Sequence, residues 1–224
     1  ALGWLALALA CAGTAMLGIA PLAGSGLPII ANYIPVLDGG MFLYGLAVLG
    51  VAAALLVLRS LIAAPALGMA FDGSDVLRFG LNASVIATAV ALLAFAASLW
   101  LTPGGLDSQT YYEIAFWGGG HALQFTWTLL MLVAWLWLAS EIGARIPLSP
   151  RIALLLLMLA LVSVFVTPWA YLAHDVSTVE HRDLHTWAMR LGGGISIVPI
   201  GLAVVIGLVG SRRSPQPGHD ALRA

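Results

Sequence analysis

Six apolar runs, at 1–20, 40–62, 76–101, 111–138, 151–172 and 186–209, take up most of this sequence. Each is long enough to cross the hydrocarbon layer of a bilayer as a helix, which takes about 20 residues. Lipid offers the backbone no hydrogen-bond partner, so a spanning segment must satisfy its own amides, and a helix does so. Composition points the same way: 8% of the 224 residues are charged, against roughly a quarter in a soluble domain. The expected fold class is therefore all-α, a polytopic transmembrane bundle of six helices. The first run lacks the basic start of a signal peptide and exceeds its usual apolar length, so it is read as a spanning helix. The lone cysteine, Cys11, excludes an intrachain disulfide and any multi-cysteine metal site. A net charge of −1 leaves no basic footprint for nucleic acid.

Arginine placement sets the expected orientation. Arg59, Arg78, Arg145, Arg151, Arg212, Arg213 and Arg223 fall in the second and fourth loops and the C-terminal tail, whereas Arg182 and Arg190 fall on the opposite side. The positive-inside rule puts both termini in the cytoplasm (N-in/C-in) and turns the loops at 21–39, 102–110 and 173–185 outward. The chain reads as one transmembrane domain over 1–210, followed by a cytoplasmic disordered tail over 211–224. It is expected as a multi-pass protein of a bacterial inner membrane, with the lipid bilayer as its first partner. Short loops make successive helices antiparallel neighbours. Ser177 and Glu180 have capping-box spacing, which starts the sixth helix near Thr178.

An ionisable side chain at membrane depth is costly without a partner and marks a candidate site. His121, in "AFWGGGHALQF", lies well inside the fourth apolar run. It has two readings: a neutral imidazole that glues helices together, or a ligand or proton-handling group. His174, His181 and His185 follow the fifth run on the same side of the membrane. His181 and His185 are four apart and would share a helix face, a spacing that suits a metal. Arg182 and Asp183 beside them favour an exposed interfacial loop instead. His174, next to Asp175, stands where it could reach back to His121. His219 belongs to the tail and is no candidate. Two triple-glycine runs, 118–120 and 192–194, are read first as close helix packing and second as room for a cofactor or water. Trp117, Trp127, Trp135, Trp137 and Trp187 are expected to include interfacial anchors.

With these residues in view, the chain resembles a known family. "AFWGGGHALQFTW" is similar to the stretch F-W-x-x-G-H-P-x-x-Y-F-W of subunit I of heme–copper oxygen reductases, the B-family in particular. "NYIPVLDGGMFLYGLAVLG" resembles that family's Y-x-x-P-P-L followed by F-Y-L-G. "VTPWAYLAHDV" resembles S-T-P-x-G-x-H-H, and "TWAMRLGGGISIVPIGLAVVIGL" the helix after it. The similarity covers the equivalent of helices three to eight of a twelve-helix subunit. It implies a membrane redox protein that binds copper or heme at His121 and His174, for electron transfer or chemistry on O₂ or NO; His181 and His185 stay candidate metal ligands by their spacing alone. It also implies other membrane subunits of a respiratory-type complex as partners.

The sequence departs from the pattern where chemistry is concentrated. Phe125 stands in place of the family's tyrosine, Ala122 in place of its proline, and the histidine pair falls on Leu172 and Ala173. The chain is accordingly expected to be an oxidase relative that is not active alone. The alternative is a scaffold or assembly subunit that has lost its cofactor site, and a weaker third reading is a proton-coupled transporter. The orientation has a direct check. Cysteines placed at Ser108 and at Ser214 should react with an impermeant thiol reagent from opposite sides of the membrane; labelling of both from one side overturns the N-in/C-in assignment.

Overall fold

A computed structural model describes residues 1–30, 35–64 and 72–212. The tail from 213, with Arg213, His219 and Arg223, lies outside the described residues. Among the described residues six helices are long and apolar enough to cross a membrane: Leu2–Leu22, Gly40–Ala63, Gly73–Leu101, Ser108–Glu141, Pro150–Ala173 and Val179–Ser211. All six expected spans are present, each within a few residues of its sequence bounds except the last, which starts earlier.

The first two spans, α1 (Leu2–Leu22) and α2 (Gly40–Ala63), form a hairpin. Between them β1 (Leu27–Ile30) and β2 (Pro35–Asp38) pair antiparallel, with Leu27 opposite Asp38 and Ile30 opposite Pro35. This small ribbon is not foreseen in the sequence, where Pro28 and Pro35 read only as loop breakers. A two-stranded ribbon tolerates both, because every strand in it is an edge. The α1–α2 hairpin leans on the remaining helices through α2, which packs against α3 (Gly73–Leu101).

The core lies among α3, α4 (Ser108–Glu141), α5 (Pro150–Val164) and α8 (Gly194–Arg212). On α3 the buried stripe Gly80, Ala83, Ala87, Ala91, Ala94 and Ser98 recurs every three or four residues. Small side chains there let the α4 backbone come close, so packing replaces a hydrophobic drive that lipid does not supply. Phe125, Leu129 and Leu132 of α4 fill the centre, against Leu157, Ala160 and Val164 of α5 and Ile200 of α8. The glycine runs serve the same purpose. A Cβ at Gly119 would collide with the Phe95 ring, one at Gly118 with the Tyr171 hydroxyl, and one at Gly192 with Ser163.

Two spans are interrupted, each for a local reason. The fifth breaks at Phe165, between α5 and α6 (Val166–Ala173). Pro168 has no N–H, and its ring clashes with the carbonyl four residues back, that of Val164. The sixth begins as α7 (Val179–Ala188), widens into one π turn at Met189–Gly193, and continues as α8. The start near Thr178 is as expected, but the cap is Thr178 itself, whose hydroxyl accepts from the His181 amide at 3.3 Å. Ser177 is occupied elsewhere, giving its amide and hydroxyl to Asp175.

The β hairpin, the 102–107 loop and the 174–178 turn share one end of the bundle, the rim. There the Ser108 hydroxyl reaches Asp38 at 3.2 Å. The small-residue contacts make a clear expectation for stability in detergent. Gly119→Val should cost about 1–3 kcal/mol through overpacking against Phe95. Gly50→Val, at a position with nothing within 4 Å of an added Cβ, should stay within about 0.5 kcal/mol. Equilibrium unfolding of both variants checks the pair.

A buried three-histidine cluster as the candidate functional site

Three imidazoles converge just below the rim. His121 comes from α4, and His181 and His185 from α7, where a four-residue spacing puts both on one helix face. His121 is 6% exposed, and His181 and His185 are each 1% exposed. The His121 and His185 ring centres are 5.9 Å apart, and those of His181 and His185 are 4.6 Å apart. The expected exposed loop at 181–185 is therefore corrected. Arg182 and Asp183 stand about 100° and 200° around the helix from His181, off the face that carries the histidines, so a charged local sequence conceals a buried one. Arg182 is half-buried and Asp183 exposed.

Each ring is fixed by a backbone carbonyl at Nδ1. His121 Nδ1 lies 3.0 Å from the Trp117 oxygen, His181 Nδ1 3.3 Å from that of Ala170, and His185 Nδ1 2.8 Å from that of His181. A carbonyl oxygen can only accept, so in the neutral imidazole each Nδ1 carries the hydrogen and each lone pair sits on Nε2. His185 Nε2 is buried and has no hydrogen-bond partner among the described residues. Native interiors rarely leave such an atom unsatisfied, and one that persists calls for an explanation.

The surrounding groups hold the rings in place. Trp117 packs on His121 at 4.8 Å between ring centres and donates its indole N–H to the Arg182 carbonyl at 3.4 Å. The Arg182 guanidinium lies over the same indole at 5.6 Å. Trp117 thus joins α4 to α7. Tyr171 of α6 presents its ring to His181 and His185 at 4.7 and 6.0 Å. Its hydroxyl donates to the Ala94 carbonyl at 3.0 Å and accepts from Ser98 Oγ at 2.6 Å. A phenol does reach the cluster, then, but from α6, while Phe125 lies in the apolar core one turn deeper.

His174 is placed differently. It is half-buried at the C-terminal cap of α6, and the imidazole that meets His121 is that of His185. His174 lines a pocket of about 350 Å³ at the rim, together with Leu101, Tyr171 and Asp175. The Ser177 hydroxyl and amide hold the exposed Asp175 carboxyl below the usual carboxylate range, and His181 adds a smaller pull in the same direction.

The donor set discriminates between the two cofactors expected. Heme needs a slot for its ring plane beside an axial imidazole, and rings 4.6 Å apart under Tyr171 leave none between His181 and His185. A single metal ion asks for less room: imidazoles about 2 Å from a shared ion put their ring centres roughly 5 Å apart. Among the described residues no three His, Cys, Asp or Glu side chains stand so that they could hold a metal ion, so a shared ion would require the side chains to rearrange. The tautomers can be checked directly. Nitrogen-15 spectra of histidine-labelled protein should show His121, His181 and His185 protonated at Nδ1 whenever they are neutral, and His185→Ala should remove one of the three signals.

The chain is similar to two bacterial proteins, both described as uncharacterised. One, from Rickettsia prowazekii (strain Madrid E), is 27% identical over 207 residues, covering 88% of this chain and 38% of the relative. The other, from Aquifex aeolicus (strain VF5), is 28% identical over 197 residues, covering 86% of this chain and 48% of the relative. The chain thus spans less than half the length of these relatives. No protein-family model matches it, and no solved structure does.

Proposed function

We propose that the chain is part of a membrane redox protein related to subunit I of the heme–copper oxygen reductases, and that it holds one copper ion on His121, His181 and His185. The observation that carries this reading is the buried, unpartnered Nε2 of His185 beside two imidazoles whose Nδ1 atoms are already committed. Neutral imidazoles are good ligands for copper, and carbonyls that fix the opposite ring nitrogen orient such ligands and raise their basicity. Bound there, copper would supply one-electron chemistry and an open position for a small molecule such as O₂ or NO. The protein's own contribution is to bury three neutral rings side by side, each tied at Nδ1 to a carbonyl, and to cover them with Trp117 and Tyr171. In this reading the rim faces out of the cytoplasm in a bacterial inner membrane, and membrane subunits or segments beyond this chain complete the machinery. Three imidazoles serve one metal, so the chain alone is not expected to reduce oxygen.

The test is metal binding by the purified chain in detergent. One equivalent of copper(I) should bind, with no retained heme in an optical difference spectrum. His121→Ala and His185→Ala should each weaken copper binding at least about 100-fold, more than the loss of an outer-shell partner does; His219→Ala should leave it unchanged. Wild-type protein that binds no copper would turn the reading towards a scaffold subunit that keeps the helices without the centre.

A further inference from the structure

The last span carries a charge at a depth that belongs to lipid. Arg190 lies in the π turn at Met189–Gly193, and its side chain is exposed. Its level follows from its neighbours. Two residues on, a Cβ at Gly192 would collide with Ser163, which stands thirteen residues from one end of the span Pro150–Ala173 and ten from the other. Those are about 20 and 15 Å along a helix, in a hydrocarbon layer about 30 Å thick. Arg190 therefore leaves its helix about 12 Å below the rim end of the fifth span.

Nothing in this bundle answers that charge. The guanidinium lies over the Trp187 ring at 5.5 Å, and among the described residues no Asp or Glu forms an ion pair with it. Asp183 is seven residues back on the same span, about 10 Å along the axis, with Trp187 between them. The described acidic residues all lie in loops or in the first or last two turns of a spanning helix, so none stands at this depth. An arginine inside a membrane is costly, and as a rule it faces the bundle interior or a paired group. A second polar group shares the level. A Cβ at Gly192 would also stand 3.2 Å from the Phe125 ring, so Gln124, the residue before it, is level with the π turn. Gln124 is half-buried, and among the described residues nothing hydrogen-bonds its amide.

We infer that the face of the last span around Arg190 is a docking surface for a further transmembrane helix from outside this chain, one that brings a carboxylate to the guanidinium. Depth favours a helix, because a group delivered inside lipid must come on a backbone that satisfies itself. Charge favours a carboxylate, whose two oxygens match the fork of the guanidinium. The surface leaves room for it: Gly194, one turn on from Arg190, has nothing within 4 Å of an added Cβ, and a bare glycine lets a second backbone come close. Trp187 and Leu191 flank the charge, 55% and 58% exposed, as apolar contact. More than half of each of the two relatives lies outside the matched region, which is ample length for such a helix. The inference does not depend on what the imidazoles bind.

The experiment uses the whole chain in phosphatidylcholine vesicles, with a synthetic polyleucine helix as the probe. The probe carries one Glu a third of the way along, at the level of Arg190; a matched probe carries Gln there. Association is read by energy transfer between dyes on the chain's N-terminal amine and on the probe. The Glu probe should bind about tenfold more tightly than the Gln probe, the size of one polar pair between helices in lipid. Arg190→Gln should abolish that preference, whereas Arg190→Lys and Asp183→Asn should keep it. Arg190→Lys also shows that any loss comes from the charge and not from misfolding. Equal binding of the two probes by wild type overturns the docking surface, and so does a preference that survives Arg190→Gln. A preference that vanishes when phosphatidylglycerol replaces a third of the lipid overturns it as well, in favour of a headgroup phosphate reached by a snorkelling side chain.

Discussion

A hydrocarbon interior gives a polar group no partner that the protein does not bring. That constraint forces the backbone into helices, and it also shapes the histidine cluster. Two of the three imidazoles take their bond from a carbonyl four residues earlier on their own helix, Trp117 for His121 and His181 for His185. Such a carbonyl is already an acceptor in the helix ladder and can take a second hydrogen with its other lone pair. The third, His181, reaches the Ala170 carbonyl in the last turn of α6, which already accepts the His174 amide at 3.0 Å and likewise serves two donors. Each ring is thus made tolerable in lipid through its Nδ1.

The same economy joins the helices around the cluster. Thr88 and Thr126 meet at 3.1 Å between α3 and α4, and Ser196 gives its hydroxyl to the Leu156 carbonyl at 2.6 Å between α8 and α5. Each pairing satisfies a buried hydroxyl and fixes the depth of one helix against another. Glycine at 118, 119 and 192 sets how near the helices come. Polar pairs determine register, and small residues determine distance.

Most of the architecture was legible because lipid imposes one strong rule, and six runs of suitable length obey it. The helix start near Thr178 was read from a capping signal, although Thr178 and not Ser177 supplies the cap. The ribbon at 27–38 was not legible: neither four-residue strand has a hydrophobic face that requires a partner. The site was half legible. His121 stood out because an ionisable group in an apolar run has few explanations. His181 and His185 were misjudged because Arg182 and Asp183 were weighed by adjacency, whereas a helix assigns residues to faces by a period of 3.6. Reading 181, 185 and 192 as one stripe would have predicted their burial. Tyr171 gave no signal, since Ser98, its partner, lies 73 residues away. The tail assigned to 211–224 lies outside the described residues from 213 onward.

The π turn at Met189–Gly193 sets the phase between the two halves of the last span. A π turn holds one residue more than the α ladder around it, and one residue corresponds to about 100° of rotation about a helix axis. Loss of a single codon in 189–193 that restored the α ladder would leave span, length and hydropathy almost unchanged. It would also turn α7 by that angle against α8, carrying His181 and His185 from the bundle interior towards its outside while His121 stayed behind. Relatives that differ by one residue in this turn would then share a bundle and differ in whether the three imidazoles meet, so gene-length comparison across 189–193 separates chains that keep the cluster from chains that lose it without reference to the histidines themselves.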